Sequence, residues 1–434
     1  MKIAVLKETY PGERRVALTP AALAPLKKAD LAIVVESGAG MAAGYADAAY
    51  RDKGAEIAEN RAAAMQADVL LYVRTLGADR EQAAKDKGSW AAGKTIIGMA
   101  DPLGSAEFIR ELAPCGANFF ALELVPRITR AQAMDVLSSQ ATIAGYKAVL
   151  LAADHAVKMF PLMMTAAGTI SPARVMVLGA GVAGLQAIAT ARRLGAVVEA
   201  YDVRSEVREQ IESLGAKFLE MEVADDAQDA SGYARQMDEA FYQKQRAFLA
   251  EHARHSDVVI TTAAIPGKKS PLLLTEDAVK AMPEGGVIVD LAAERGGNCE
   301  LTKADETVIA HGVTILGPTN LPSDIPFHAS QMYANNCVKF LLNLYKDGEL
   351  QVEGDDEIVV GTLAAKGGEV VHTRLREILN LRPLEKPEEK KEEEPPPNEQ
   401  AEEMDFPAPD NGQGESGDDD ASASEEGENK ETTP

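Results

Sequence analysis

Hydrophobic and polar positions alternate between two rhythms along this chain. Short apolar runs at Ile3–Leu6, Ala32–Glu36, Val69–Val73, Thr95–Met99 and Asn118–Leu122 have the length of strands buried on both faces. Between them, Pro20–Lys28, Ala46–Lys53, Arg61–Gln66 and Ser105–Leu112 carry apolar residues at helical spacing. Thr19-Pro20 adds an N-cap residue followed by a proline at the first helical position. Such alternation predicts a parallel sheet with helices on both faces. Ser138–Lys158 is a longer periodic segment, with Ile143, Tyr146, Ala148, Val149 and Ala152 spaced for one buried face. It predicts a helix that leaves a first domain and enters a second. Further strands are expected at Lys217–Leu219, Val258–Thr261, Gly286–Leu291 and Val313–Leu316, with a helix around Asp277–Ala281. Ser330–Leu344 predicts a returning helix, and Asp355–His372, with Gly367-Gly368 at its middle, a closing β-hairpin.

The second half opens on the most informative stretch, Arg174–Arg204. Val175–Leu178 is an apolar run, and Gly179-Ala180-Gly181-Val182-Ala183-Gly184 follows at once. A helix is expected from Leu185 to Leu194 and a strand from Val197, with Asp202 at its end, 23 residues after Gly179. Strand, G-x-G-x-x-G turn, helix, strand and terminal acid form a dinucleotide-binding pattern in which each part has a physical task. Gly179 permits the tight turn, Gly181 removes a side chain that would hold a pyrophosphate away, and Gly184 lets the helix lie close on the strand. The helix N-terminus offers free N–H groups to the phosphates. Asp202 can accept from both ribose hydroxyls and would repel a 2′-phosphate, which points to NAD(H). The expected fold class is α/β: two Rossmann-like doubly wound parallel-sheet domains joined by crossing helices. Their expected extents are 1–137 plus 330–384, and 138–329. The cleft between two such domains is the usual place for a cofactor.

Composition changes this picture at one end. The net charge of −24 is unevenly spread: from Glu385 onward 19 acids face 4 lysines, so the last fifty residues hold −15 and the rest −9. Prolines, glutamate runs and Asp418-Asp419-Asp420 bury no core, and 385–434 is expected to be a disordered acidic tail. The body shows no basic stripe, which argues against nucleic acid. Cys115, Cys299 and Cys337 are too far apart for a metal cluster or a disulfide framework and suit a reducing compartment. The N-terminus runs directly into strand-like sequence without the apolar core of a signal peptide. No stretch is expected to span a membrane, which needs about 20 apolar residues; the richest, Phe160–Ile170, is short and holds Pro161 and Gly168.

Several stretches resemble one family. Lys7-Glu8 with Pro11-Gly12-Glu13-Arg14-Arg15-Val16-Ala17-Leu18-Thr19-Pro20 is similar to the N-terminal signature of alanine dehydrogenases and of the NAD(H)-binding subunit of proton-translocating nicotinamide nucleotide transhydrogenase. The run Glu123–Gln140 (ELVPRITRAQAMDVLSSQ) looks like the transhydrogenase subunit, as do Met163–Thr169 and Thr261–Lys268. The resemblance covers about residues 1–380. It implies direct hydride transfer between NAD(H) on this chain and NADP(H) on a partner subunit, coupled to proton movement by a membrane-spanning subunit. It also implies a homodimer lying on the cytoplasmic face of the membrane. The acidic ending resembles the separate-subunit form.

The same resemblance assigns Arg127, Gln132, Asp135 and Ser138 to a loop that positions the nicotinamide. Such chemistry needs two rings held at attack distance with water excluded, and no nucleophile or metal. Arg127 can donate to a carboxamide oxygen, Gln132 can donate and accept, Asp135 can orient Arg127 through an ion pair, and Ser138 adds a hydroxyl. Without the resemblance the segment reads as a loop ion pair plus a helix cap. Ile128 and Thr129 are carried over with Arg127 as cofactor contacts, as are Val182, Val203, Arg204 and Ala264. Gly232, Tyr233 and Met237 match a mobile loop that closes over bound NAD(H). The rival enzyme is an alanine-type dehydrogenase, for which Arg15 is available to bind a carboxylate. However, Met99 and Arg74 stand at that family's catalytic histidine and lysine positions, and no histidine precedes His155. A non-catalytic NAD-binding assembly module is the other alternative. Tyr72 and Met99 also depart from residues common in transhydrogenase subunits.

Overall fold

The computed structural model describes residues 1–221, 239–265 and 267–384. The expected acidic tail lies outside them. Residues 1–384 form one compact unit built on two sheets. In the first sheet, eight strands run in the spatial order Glu369–Val370, Leu363–Lys366, Asn118–Ala121, Thr95–Met99, Val69–Arg74, Lys2–Val5, Ala32–Glu36, Glu56–Ala58. The last six of these pair in parallel, and the first two join antiparallel. In the second, the order is Lys217–Phe218, Val197–Tyr201, Arg174–Leu178, Val258–Thr261, Val287–Asp290, Val313–Leu316, Thr307–Ala310. Here only the last pairing is antiparallel. Both parallel portions have the doubly wound order in which the first strand sits centrally and successive strands extend to either side. Each sheet therefore has a switch point: between Lys2–Val5 and Val69–Arg74 in one, and between Arg174–Leu178 and Val258–Thr261 in the other. Ligands bind beyond the carboxyl ends of strands at such points.

Two expectations are corrected. The sheets are not wholly parallel, because each ends on antiparallel strands. The 355–372 segment is not a hairpin throughout: Glu357–Thr362 is a helix, started by Asp356, whose Oδ1 accepts from the Ile358 N–H at 2.9 Å. Only Leu363–Lys366 and Glu369–Val370 form the hairpin.

Two helices cross between the sheets. Val136–His155 begins in the first core and ends in the second, where Ala148, Val149 and Ala152 are buried. Pro326–Leu344 returns to the first core, where Tyr333 donates to the Tyr72 carbonyl at 2.8 Å and Phe340 meets Phe120 edge-on. By length and composition Val136–His155 is apolar enough to cross a membrane, which corrects the expectation that no segment is. In this structure it instead lies on the helix Val182–Arg193, and the contact is so close that a Cβ on Gly145 would overlap the Ala183 carbonyl oxygen. Gly145 therefore sets how near the glycine-rich turn lies to the crossing helix. Alanine is a better helix former than glycine, so an open site would gain from Gly145→Ala. Overlap with backbone predicts the opposite sign here, a loss of about 1–3 kcal/mol in denaturant unfolding.

Candidate functional site

The site begins where the Arg174–Leu178 strand delivers Gly179 in a left-handed conformation, φ +96°. A Cβ on Gly179 would come 2.6 Å from Thr262 Oγ1, which itself donates to the Gly179 and Leu178 carbonyls at 3.1 and 3.2 Å. Gly184 sits so close that any Cβ would overlap the Gly179 carbonyl oxygen. Gly181 differs from both: nothing lies within 4 Å of the position its Cβ would take. It caps the helix Val182–Arg193 without a side chain, and the exposed first turn faces a cavity. The three glycines thus do three different things, one turning the chain, one admitting the helix to the strand and one leaving open space where a phosphate would lie.

That cavity has a volume of about 750 Å³ and is walled from both sheets. Of the residues singled out from sequence, it gathers Arg127, Ser138, Gly179, Gly181, Val182, Asp202, Val203, Arg204 and Ala264. Val203 is half-buried and also packs against the second core, whereas Ala264 is exposed and not a core residue. Gly184 lies behind the wall. Ile128, Thr129, Gln132 and Asp135 are outside it, with Gln132 and Thr129 exposed on the short helical turn Thr129–Met134. Gly232, Tyr233 and Met237 lie outside the described residues.

Asp135 departs from expectation. Its Oδ1 accepts from the Ser138 N–H at 2.9 Å and its Oδ2 from the Ser138 hydroxyl at 2.6 Å. Both oxygens serve the start of the Val136–His155 helix, and the ion pair with Arg127 is not formed. An N-cap carboxylate satisfies orphan donors and meets the positive end of the helix dipole, which holds it in place. Asp202 is 8% exposed and also fully employed. Its Oδ2 accepts from the Ala180 N–H at 2.7 Å and from Arg204 Nη2 at 2.9 Å; its Oδ1 accepts from the Arg204 N–H and Nε at 3.0 and 2.9 Å. A carboxylate offers about four acceptor positions. A ribose seated here therefore has to displace the Arg204 guanidinium.

The first-sheet wall holds groups that sequence reasoning undervalued. Arg15 is 2% exposed, and Glu13 takes its Nε and Nη2 at 2.7 Å each. Gln140 and Asn320 accept from the remaining nitrogens at 2.9 and 3.2 Å. Arg15 is thus not available to a substrate carboxylate, contrary to expectation; Glu13 already fills that seat. The i, i+2 spacing of Glu13 and Arg15 in extended chain, which puts both on one side, was the available signal. Burial alone would raise the Glu13 carboxyl, yet Arg15 and Arg74 hold it well below the usual carboxylate range. Two neighbours go the other way. Burial, with help from Glu13, pushes Glu8 up to about 8 despite N–H donation from Val73 and Arg74. Burial pushes Glu123, in the cavity wall, up to about 7 although the Ala100 and Asp101 N–H groups donate to it.

The comparisons with known proteins agree with this geometry. Residues 4–144 match the family model "Alanine dehydrogenase/PNT, N-terminal domain", and 148–373 match "Alanine dehydrogenase/PNT, C-terminal domain". In Rhodospirillum rubrum the first of the polypeptides that make up the NAD(P) transhydrogenase alpha subunit is 45% identical over 381 residues, covering 86% of this chain and 99% of that one. The crystal structure of transhydrogenase from Sinorhizobium meliloti superposes with a TM-score of 0.74 at 42% identity, covering 86% of this chain and 99% of that one. A solved L-alanine dehydrogenase, TM-score 0.73 at 24% identity and covering 88% and 99%, shares the fold.

Two measurements follow. Gly181→Ala should leave unfolding unchanged and weaken NADH binding roughly tenfold in a fluorescence titration, about 1.4 kcal/mol, whereas Gly184→Ala should lower stability as well. Because Glu8 and Glu123 have folded values raised above the ordinary 4.5, the folded chain takes up protons between about 4.5 and 8. Their contribution to stability should therefore grow as pH falls through that window, and Glu123→Gln should flatten the slope below about pH 7 in urea unfolding.

Proposed function

Since the chain belongs to the alanine dehydrogenase/PNT family, on the side of its NAD(P) transhydrogenase alpha subunits, we propose that it is the NAD(H)-binding subunit of a proton-translocating transhydrogenase. In this reading it exchanges hydride directly with NADP(H) held on a partner subunit. The single observation that carries the reading is the pairing of an open phosphate cradle at Gly181 with a first-sheet wall whose carboxylate receptor, Arg15, is closed by Glu13. The cleft can hold a dinucleotide, and the alanine-type alternative has no free seat for a small acid.

The residues divide the work as follows. Residues 1–137 with 330–384 act as one lobe, and 138–329 as the other. The Val182 helix start and the bare Gly181 backbone bind the pyrophosphate, and Asp202 with Arg204 frames the adenosine ribose. Bound NADH supplies the hydride. Arg127 donates to the carboxamide and fixes the ring's facing, while Ser138, braced by Asp135, closes the same end. Gln132, exposed at the rim, reaches toward the second nucleotide. Gly232, Tyr233 and Met237 belong to the covering loop. The reaction then depends on two rings at attack distance in a cleft that excludes water.

The assembly is a homodimer associated with the NADP-binding and membrane-spanning subunits at the inner membrane face. The hairpin Met163–Thr165/Gly168–Ile170 supports a dimer: both strands are exposed, and Leu162, Met163, Met164 and Ile170 show apolar surface that a lone copy leaves in water.

The deciding experiment is hydride transfer from NADH to an NADP analogue with and without the NADP-binding partner. Partner-dependent exchange supports the reading; turnover of pyruvate and ammonia by this chain alone overturns it. Gln132→Asn should slow exchange at least tenfold while leaving the NADH dissociation constant within about twofold, because it acts on ring alignment.

A further inference from the structure

Opposite the crossing helices, the cleft has a polar bridge. Arg295, in the short helical turn Ala293–Arg295 after the Val287–Asp290 strand, donates from Nη2 to Asp101 Oδ1, just past the Thr95–Met99 strand. Both residues line the cavity. Among the described residues this is the one ion pair that joins residues 1–137 to residues 157–319.

Each end of the bridge is rigidly mounted. Asp101 adopts φ +47°, a left-handed conformation that aspartate tolerates better than most side chains. That turn is held because the Ala100 and Asp101 N–H groups both donate to the Glu123 carboxylate at 2.8 Å. Asp101 Oδ2 accepts from Ser105 Oγ at 3.0 Å, and Ser105 Oγ in turn accepts from Arg80 Nη2 at 3.0 Å. On the other side, the loop bearing Arg295 is tied by the fully buried Asp290. Its carboxylate accepts from the N–H groups of Ala292, Asn298 and Cys299 and from the hydroxyls of Thr261 and Thr302, at 2.7–3.0 Å. The Arg295 carbonyl also accepts from the Ser270 N–H at 3.0 Å. The surfaces beside the bridge touch: a Cβ on Gly267 would come 2.7 Å from Leu103 Cβ.

We propose that Asp101 and Arg295 are positioning residues that clasp the two walls of the cleft and set its width. Arg127 and the Gly179–Gly184 turn lie on opposite walls, so the clasp fixes how closely the carboxamide donor approaches a dinucleotide seated on that turn. Hydride transfer depends steeply on such distances. The pair is partly solvent-exposed, 27% and 33%, so its strength is modest, enough to set an opening equilibrium without locking the cleft. This inference rests on the NAD(H) reading of the cavity.

The test is a double-mutant cycle on the full-length chain with Asp101→Asn, Arg295→Met and both together. Asparagine is also tolerated at positive φ, so Asp101→Asn removes charge without straining the turn. Each single variant should raise the NADH dissociation constant about fivefold and slow partner-dependent exchange further. The double variant should be no worse than either single one, and Arg295→Lys should recover part of the loss. Amide hydrogen exchange of residues 98–105 and 262–267, measured without nucleotide, should rise equally in all three and be unchanged in the melting profile. Additive losses, or unchanged exchange in those segments, overturn the clasp. The exchange readout needs no ligand, so the clasp can fail or stand whether or not the wild-type chain binds NADH; absent wild-type binding overturns the NAD(H) reading instead.

Discussion

The site depends on a backbone contact between three elements. Gly179, Gly184 and Gly145 each stand where a side chain would push apart two main chains: strand from helix at the first two, helix from helix at the third. At that spacing the first turn of the Val182–Arg193 helix is delivered to the mouth of the cavity, with its unpaired N–H groups directed outward. The crossing helix that brings Ser138 to the same mouth is held by the same stack. Phosphate seat and carboxamide end are consequently fixed to one rigid block, and the first sheet with Arg127 is the movable wall facing it.

That arrangement gives polar groups on the first-sheet wall a different meaning. Glu13, Arg15, Arg74, Gln140 and Asn320 form a closed network where a related enzyme of small-acid chemistry needs an open one. The wall is built to be a surface, not a receptor. Ionised Glu13 beside a carboxyl that burial pushes up at Glu8 shows one net negative charge being shared in a confined space. An anionic substrate would add a charge there that the network has no donors left to meet.

Much of the architecture was legible in the chain because parallel strands buried on both faces read as continuous apolar runs; Val69–Arg74 and Val258–Thr261 are examples. Glu56–Ala58 and Thr307–Ala310 escaped because edge strands are short and half exposed. Glu357–Thr362 escaped because Ile358-Val359-Val360 carries strand propensity, while the cap at Asp356 and burial of Ile358 decide for helix. In the site, the glycine spacing and Asp202 were readable since their partners are local. Asp135 was misread for a related reason: a cap three residues away outcompetes a pair that needs loop closure. The Asp101–Arg295 bridge, 194 residues apart in sequence, leaves no local pattern at all.

The closing strands of the first sheet have a consequence for how the chain is made. Leu363 and Ala365 pair with Phe120 and Phe119, and Pro326–Leu344 covers the face on which Phe120 lies. More than two hundred residues separate these partners, and the whole second sheet lies between them. At translation rates of about 5–20 residues per second, the first sheet waits roughly 10 to 50 seconds with an uncovered edge. A nascent chain in that interval presents Phe119 and Phe120 beside an unpaired strand, the combination most prone to join a neighbour. The second sheet can fold while the first waits, so the glycine turn is assembled before the wall it faces. Cotranslational chaperone demand is thereby concentrated on the N-terminal third of the chain rather than on the cofactor-binding half.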